Sequence, residues 1–188
     1  MPLLLIYNQK DTQKKNKLKD ICDRRNYILK EATDNDLDQK IGYLVELEGY
    51  EKEEIEDIKP SEFDFTFLLI KDVPKNEMYS FLEEMQKEDL YIANKAGLTD
   101  TNKNWTLRRL LFENEEEHRT MELLSKITNL FNYAEQFMKE HGKDETLVNT
   151  LNEVDTFLKD SNGFNLDKAY ELYEKLYRTL DELNRKTL

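Results

Sequence analysis

The sequence predicts an α/β protein: a small, mostly parallel four-stranded sheet in the order βαβαβαβα, followed by an all-helical C-terminal extension. Four short apolar runs are separated by segments whose apolar residues recur at helical spacing. Such alternation favours parallel strands joined by right-handed crossovers. After residue 111 only the helical period continues. We therefore expect an α/β domain over residues 1–112 and a helical extension of about three helices over residues 113–188.

The first two strand–helix pairs are predicted within the first 50 residues. The apolar run at residues 3–7 is the first strand, and Leu18, Ile21 and Cys22 mark one face of the helix after it. Residues 27–32 form a weaker second strand. The second helix is predicted from apolar residues at i, i+4, i+7 and i+8 spacing, namely Leu37, Ile41, Leu44 and Val45.

An acidic connector leads into the second half of the sheet. Residues 51–62 predict a solvated loop or a frayed helix, with a docking surface for a basic partner as the alternative. Residues 63–70 give the strongest strand signal in the chain, and Pro74 suits the first turn of the next helix. Residues 90–93 are the predicted fourth strand. We expect the strand order 2-1-3-4, and an arrangement with one antiparallel strand, thioredoxin-like or ferredoxin-like, is the alternative.

Three amphipathic helices are predicted after the sheet. The first looks continuous with the fourth α/β helix and is expected to end at Gly142. The second is expected to end at Ser161-Asn162-Gly163. The third carries an aromatic stripe of Tyr170, Tyr173 and Tyr177.

Composition excludes several classes of partner. The formal net charge is −12 and no Lys/Arg stripe stands out, so we expect binding neither to nucleic acid nor to anionic membrane surfaces. No apolar run approaches the ~18 residues of a membrane span. The single Cys22 excludes an intramolecular disulfide, so a cytoplasmic location is expected. The abundance of Lys, Asn, Asp and Ile hints at a bacterial source.

The predicted ligand site is the turn between the fourth strand and the fourth helix. In open α/β sheets, ligands bind beyond the carboxyl ends of the strands, where Asn8, Gln9, Thr33, Asp34 and Asp72 would also lie. The turn could form a pocket for a small anionic ligand, because a lysine and free helix N–H groups attract anions. The alternative is that its Thr and Asn side chains cap the helix and its Trp fills a junction. The candidate ligand-binding residues are Lys95, Thr99, Thr101, Asn102, Asn104 and Trp105.

No catalytic constellation, resident metal site or cofactor site is predicted. The sequence has neither a GxGxxG nor a GxxxxGK[ST] phosphate loop. Glu115 and His118 stand at the i, i+3 spacing of di-metal carboxylate bundles, but the second such pair is missing. Cys22 is predicted to be buried and inert. The sequence does not decide whether the protein is an enzyme, but the lack of a recognised catalytic constellation favours a protein that is not one.

The turn carries a family resemblance. Lys95, Ala96, Thr99, Asn102 and Trp105, followed by Glu117-His118, resemble the pattern of the bacterial family catalogued as domain of unknown function 3783. The resemblance covers residues 63–119, about a third of the chain. It implies no activity. It marks Lys95, Thr99, Asn102, Trp105 and His118 as residues to test, whether they form a shared site or a shared structural junction.

Two functions are therefore expected. The first is a non-enzymatic interaction or regulatory protein whose helical region binds a protein partner or a second copy. The alternative is a small anionic ligand-binding protein, or an enzyme, with its site at the Lys95–Trp105 turn.

Overall fold

The protein forms two compact units, residues 1–116 and residues 117–188. A computed structural model describes residues 1–57, 59–160 and 164–187, so the predicted helix end at Ser161-Asn162-Gly163 lies outside the described residues. Across those described ranges, none of the helices combines the length and the apolar character needed to cross a membrane.

Unit 1 contains a four-stranded sheet with helices on both of its faces. Helix α4 (Leu107–His141) begins in unit 1 and continues into unit 2. The elements before it are β1 (Leu3–Tyr7), α1 (Thr12–Arg25), β2 (Ile28–Ala32), α2 (Ile41–Leu44), β3 (Phe67–Lys71), α3 (Lys75–Lys87) and β4 (Asn94–Gly97), with 3-10 turns at Asp34–Asp36 and Asn102–Asn104.

The strand order is β2-β1-β3-β4, as predicted, but the sheet is mixed. β1 runs parallel to β2 and antiparallel to β3, so the expectation of a mostly parallel sheet is wrong. Tyr7 is paired with both Ala32, which ends β2, and Phe67, which begins β3. The chain therefore leaves β2 and enters β3 at the same edge of the sheet. Without a crossover between those ends, β3 must run in the opposite direction to β1.

The second predicted helix is reduced to α2 and a 3-10 turn. The backbone between them is extended at Lys40, which bridges Thr106 in antiparallel fashion. The Ile41 N–H donates to the Trp105 carbonyl at 2.9 Å, and the Arg108 N–H donates to the Leu37 carbonyl at 2.7 Å. Backbone groups that a longer helix would use internally instead satisfy the start of α4.

β4 forms four residues later than predicted, at Asn94–Gly97 rather than at residues 90–93. Leu90 and Ile92 are buried against the α1 and α3 face, but they lie in an irregular segment. β3 likewise begins at Phe67 and not at residue 63. Burial of an apolar run therefore predicts its place in the core better than its place in the hydrogen-bonded ladder.

Alternate residues of the two central strands enter two separate cores. Leu4, Ile6, Leu68 and Ile70 pack under α1 and α3. Leu3, Leu5, Tyr7, Phe67 and Leu69 pack under α2 and the first turns of α4. Because the sheet is covered on both faces, β1 and β3 are continuously apolar.

Unit 2 consists of the remainder of α4 with α5 (Glu145–Lys159) and α6 (Leu166–Thr187). α4 ends at His141, and Gly142 has a positive φ of 92°, which confirms the predicted stop. The Asp144 carboxylate caps α5 by accepting from the Leu147 N–H at 3.0 Å. The core of unit 2 is an apolar stripe from each helix, which includes Leu123, Ile127, Ala134, Leu147, Leu151, Val154, Ala169, Leu172, Leu176 and Leu180.

Candidate functional site

The mixed sheet separates residues that a parallel sheet would have brought together. β1 and β2 have their C-terminal ends on one side of the sheet, where Asn8 and Asp34 lie. β3 and β4 have their C-terminal ends on the opposite side, where Asp72 and Thr99 follow them. The polar residues at the strand ends, which were predicted to form one cluster, therefore form two.

Asn102 organises the turn after β4. It is only 6% exposed, and its Oδ1 accepts from the Thr99 N–H at 2.8 Å. In return, the Asn102 N–H donates to Thr99 Oγ1 at 3.0 Å. Asn102 Nδ2 donates to the Gly97 carbonyl at 2.9 Å. Both polar atoms of the Asn102 side chain are thus bonded to the backbone of its own turn, as the capping alternative expects.

Asparagine side chains also satisfy the open edge of β4. The Leu98 N–H donates to the Ile70 carbonyl, so in the alternating ladder the backbone groups of residues 95 and 97 point away from β3. The Gly97 carbonyl receives Asn102, and the Lys95 carbonyl receives Asn114 Nδ2 at 3.4 Å. Amides on both outward carbonyls block the pairing of another strand at this edge.

The turn also has exposed polar residues, which are Thr99, Asp100, Thr101 and Asn104. Asn104 Oδ1 accepts from the Tyr50 hydroxyl at 2.6 Å, and its Nδ2 donates to the Asp100 carbonyl at 3.3 Å. Lys103 Nζ lies 2.7 Å from Asp100 Oδ1, which lowers the pKa of that carboxyl. Among the six predicted ligand residues, Thr99, Thr101 and Asn104 are the three that are exposed to solvent.

Trp105 is half-buried and packs against the α2 side of the sheet. Its carbonyl accepts from the Ile41 N–H, and the Arg109 guanidinium lies 4.4 Å from the centre of its ring. The stacked arginine is a cation–π contact. Trp105 therefore joins α2 to the start of α4 within unit 1.

Lys95 lies on the other face of the sheet. It is inside β4 rather than after it, so its direction follows the strand alternation: Ala96 packs toward α2, and Lys95 lines a cleft with Met85 and Leu90 on the α3 side. Its Nζ donates to the Ile92 carbonyl at 2.6 Å. Burial lowers the pKa of the Lys95 amine. The structure thus separates Lys95 from Trp105, although the sequence groups them.

A second polar cluster surrounds Arg108, which sequence reasoning missed. Arg108 binds Asp38 through two hydrogen bonds of 2.7 and 3.0 Å and also pairs with Glu62. It donates to the carbonyls of Lys59 and Pro60 as well. The Arg108 hydrogen bonds are the largest cause that lowers the pKa of Asp38. Arg108 lies in the first turn of α4, where the helix dipole disfavours a positive charge. That unfavourable position is the feature of the sequence that could have indicated an acidic partner for Arg108.

The acidic connector is held in place by buried polar side chains. Gln39, 3% exposed, donates to the Glu53 carbonyl at 2.8 Å and accepts from the Glu53 N–H at 2.9 Å. The hydroxyl of buried Tyr7 bonds Ser61 at 2.6 Å and donates to Asp34 at 2.8 Å. Burial is the main cause that raises the pKa of Tyr7. The connector is therefore an ordered irregular segment with no helix in its described part, rather than a frayed helix.

His118 has a local partner. Its Nε2 lies 3.4 Å from Glu122 Oε1, one helical turn further along α4. Within the described part of the chain, no group of three or more His, Cys, Asp or Glu side chains is arranged to hold a metal ion.

One family matches part of the chain. The sequence model of the family described as "Domain of unknown function (DUF3783)" matches residues 66–121, from β3 to the early turns of α4. The matched segment is under a third of the chain and contains Lys95, Thr99, Asn102, Trp105 and His118. It confirms the resemblance to that family. No curated protein and no solved structure matches the chain.

Proposed function

We propose that this is a non-enzymatic interaction or regulatory protein of the bacterial cytoplasm, and that unit 2 binds a partner protein or a second copy of the chain. The observation that carries the proposal is a row of three tyrosine rings on α6, in which two exposed rings flank the half-buried Tyr173 that packs against the core of unit 2. Tyr170 is 48% exposed and Tyr177 is 54% exposed, although both lie on a helix whose other face fills a core. We call Tyr170, Tyr173 and Tyr177 the tyrosine row.

The tyrosine row has the geometry of a binding surface. Its residues are spaced i, i+3 and i+7, so they follow one side of α6. The rings of Tyr173 and Tyr177 stack with their centres 6.4 Å apart. Aromatic rings of this kind dominate the binding energy of protein interfaces, because they bury a large area and lose little side-chain entropy.

A groove between α4 and α6 continues this surface. Tyr170 and Tyr173 line one wall, and Leu123 and Lys126 line the other, around a cavity of about 250 Å³. Apolar rings bordered by charges of both signs are typical of the centre and rim of an interface.

Photo-crosslinking tests the proposal. Benzoylphenylalanine replaces Tyr170 or Tyr177 in the full chain in living cells, and the same replacement at Tyr79, which is 79% exposed in unit 1, is the matched control. We expect discrete protein adducts from unit 2 that the Tyr79 control does not give. Sedimentation analysis then separates a second copy from a different protein. Adduct yields equal to the control at both positions refute the proposal.

A second candidate function is the binding of a small anionic ligand near the Lys95–Trp105 turn. The observation that favours it is Lys95, whose ammonium lines a solvent-open cleft next to the turn and donates to the Ile92 carbonyl at 2.6 Å. Trp105 is the one tryptophan of the chain, so its fluorescence reports on the turn. A shift on adding small anions, lost in Asn104→Ala, would support a site at the turn itself. An unchanged spectrum across the anions would count against it.

A further inference from the structure

The cleft beside Lys95 has the composition of a small ligand site. It lies between the C-terminal half of α3, the irregular segment at residues 90–93 and β4, and its volume is about 220 Å³. The walls are mainly apolar, from Leu82, Met85, Leu90 and Ile92, and the polar side chains that line the cleft are those of Gln86, Tyr91 and Lys95. Tyr91 is 76% exposed, so the cleft opens to solvent at that ring.

The Lys95 ammonium is the charged group of this cleft. Its Nζ lies 5.4 Å from the centre of the Tyr91 ring and donates to the carbonyls of Ile92 and Ala93, at 2.6 and 3.5 Å. Among the residues that the structure describes, no carboxylate forms an ion pair with this ammonium. Burial is the cause that lowers the pKa of Lys95. An ammonium has three donors, so at least one remains for a ligand.

Lys95 is a half-buried cation with no ion pair among the described residues, in a chain where acidic residues outnumber basic ones by 40 to 28. Two other half-buried cations, Arg25 and Arg108, bind Glu84 and Asp38, whereas half-buried Lys17, like Lys95, donates to a backbone carbonyl. An apolar cleft with one cation and no acid is complementary to a group with an apolar tail and one negative charge.

We propose that the Lys95 cleft binds a small aliphatic monocarboxylate, with its carboxylate on Lys95 Nζ and its hydrocarbon tail between Leu82, Met85 and Leu90. At roughly 30 Å³ for each non-hydrogen atom, the cleft accommodates about seven of the eight non-hydrogen atoms of hexanoate, and it opens to solvent beside Tyr91. The inference rests on the second proposed function, ligand binding, and assigns the ligand to the face of the sheet opposite Trp105.

Hexanoate is the probe, and methionine methyl resonances are the readout. The full chain is labelled with ¹³C-methyl methionine, because Met85 lines the cleft, whereas Met1 and Met78 lie elsewhere in unit 1 and Met121 and Met138 lie in unit 2. We expect a saturable shift of Met85 alone on addition of sodium hexanoate at constant ionic strength. Hexylammonium, which has the same tail and the opposite charge, should bind at least ~10-fold more weakly, as the loss of a charge-assisted hydrogen bond predicts.

Three variants make the test specific. Lys95→Met should weaken hexanoate binding at least ~10-fold, for the same reason. Lys87→Met is the matched control: Lys87 is on α3 near the cleft, its side chain is 71% exposed, and affinity should be unchanged. Leu82→Trp fills the cleft from its rim and should abolish the Met85 shift. Circular dichroism verifies the fold of each variant.

The outcomes separate the cleft from the turn. The absence of a saturable Met85 shift, or equal affinity in wild type and Lys95→Met, overturns the cleft assignment. If hexanoate instead changes Trp105 fluorescence, and Asn104→Ala removes that change, the cleft is wrong and ligand binding at the turn stands. If neither reporter responds to hexanoate or to other small anions, both the cleft and the second proposed function fail.

Discussion

Replacing Asn102 by alanine should destabilise unit 1 by about 2 kcal/mol. The substitution removes the acceptor of the Thr99 N–H and the donor to the Gly97 carbonyl, at 2.8 and 2.9 Å. Each such bond contributes ~1 kcal/mol net, and leaving its partner unsatisfied costs ~1–3 kcal/mol when the group is buried. Gly97 and Thr99 are exposed, so water recovers part of this cost and the total stays near the lower bound.

Urea unfolding monitored by Trp105 fluorescence measures the effect. The sole tryptophan lies in unit 1, so its signal follows that unit even where unit 2 unfolds separately. Asn104→Ala is the matched control in the same turn. It also removes two hydrogen bonds, but Asn104 is exposed and water replaces them, so a loss of ~0.5 kcal/mol is expected. Equal losses from the two substitutions would refute the argument that Asn102 is the residue that fixes the turn.

Asn102→Asp provides a second control of the same size. It keeps the Oδ1 acceptor for the Thr99 N–H but sets a carboxylate oxygen against the Gly97 carbonyl. We expect a loss at least as large as that of Asn102→Ala near neutral pH, and a partial recovery in acid, where the protonated carboxyl can donate. A variant as stable as wild type at neutral pH would contradict the assigned orientation of the Asn102 amide.

Three other predictions concern unit 1. Hydrogen bonds from Arg108 lower the pKa of Asp38 in the folded protein, so the stability that this pair contributes is complete above the unfolded pKa and is lost as pH falls through the lower folded pKa. Asp38→Asn should therefore make the urea midpoint depend less steeply on pH below pH ~4. An equally steep dependence in the variant would contradict this. Burial raises the pKa of Cys22 to about 12, so the native thiol should resist Ellman's reagent and react on unfolding, whereas rapid reaction of the native protein would show it to be accessible. A Cβ on Gly42 would lie 2.3 Å from the Tyr50 ring, so Gly42→Ala should cost ~1–3 kcal/mol in urea unfolding, and Tyr50→Ala in the same chain should relieve part of that loss.

Elements whose signal is local could be predicted from the sequence. β1 occupies the predicted residues, and α1 buries the predicted face, which carries Leu18, Ile21 and Cys22. The apolar period of these segments is enough, because their burial depends on residues within a few turns of one another. The predicted strand order is also correct, although it was chosen for a parallel sheet and β1 and β3 are antiparallel.

The direction of β3 could not be predicted, because distant backbone contacts determine it. Lys40 pairs with Thr106, and Arg108 bonds the carbonyl of Leu37. These contacts take the backbone groups that a full second helix would have used. They cross more than sixty residues of chain, and no local pattern reports them.

The candidate site was only partly predictable for a related reason. Lys95 was expected in the turn, but β4 forms four residues later than predicted and includes it. Once Lys95 is a strand residue, the alternation of the sheet directs its side chain to the face opposite Trp105. An edge strand pairs with a neighbour on one side only, so a few hydrogen bonds decide which of its residues pair. An apolar run therefore predicts that a segment is buried, but it does not predict the register of the strand.

The segment that matches the family combines residues with different physical tasks. Asn102 has both side-chain atoms bonded to its own turn, and Trp105 joins two helices of unit 1. Each polar atom of the Asn102 side chain therefore already has a backbone partner. Lys95 differs, because its half-buried ammonium lies beside an apolar cleft and, among the described residues, forms no ion pair with a carboxylate. Its two hydrogen bonds to the carbonyls of Ile92 and Ala93 leave one N–H donor unused. Of Lys95, Asn102 and Trp105, Lys95 is therefore the residue that offers a charged donor to a ligand.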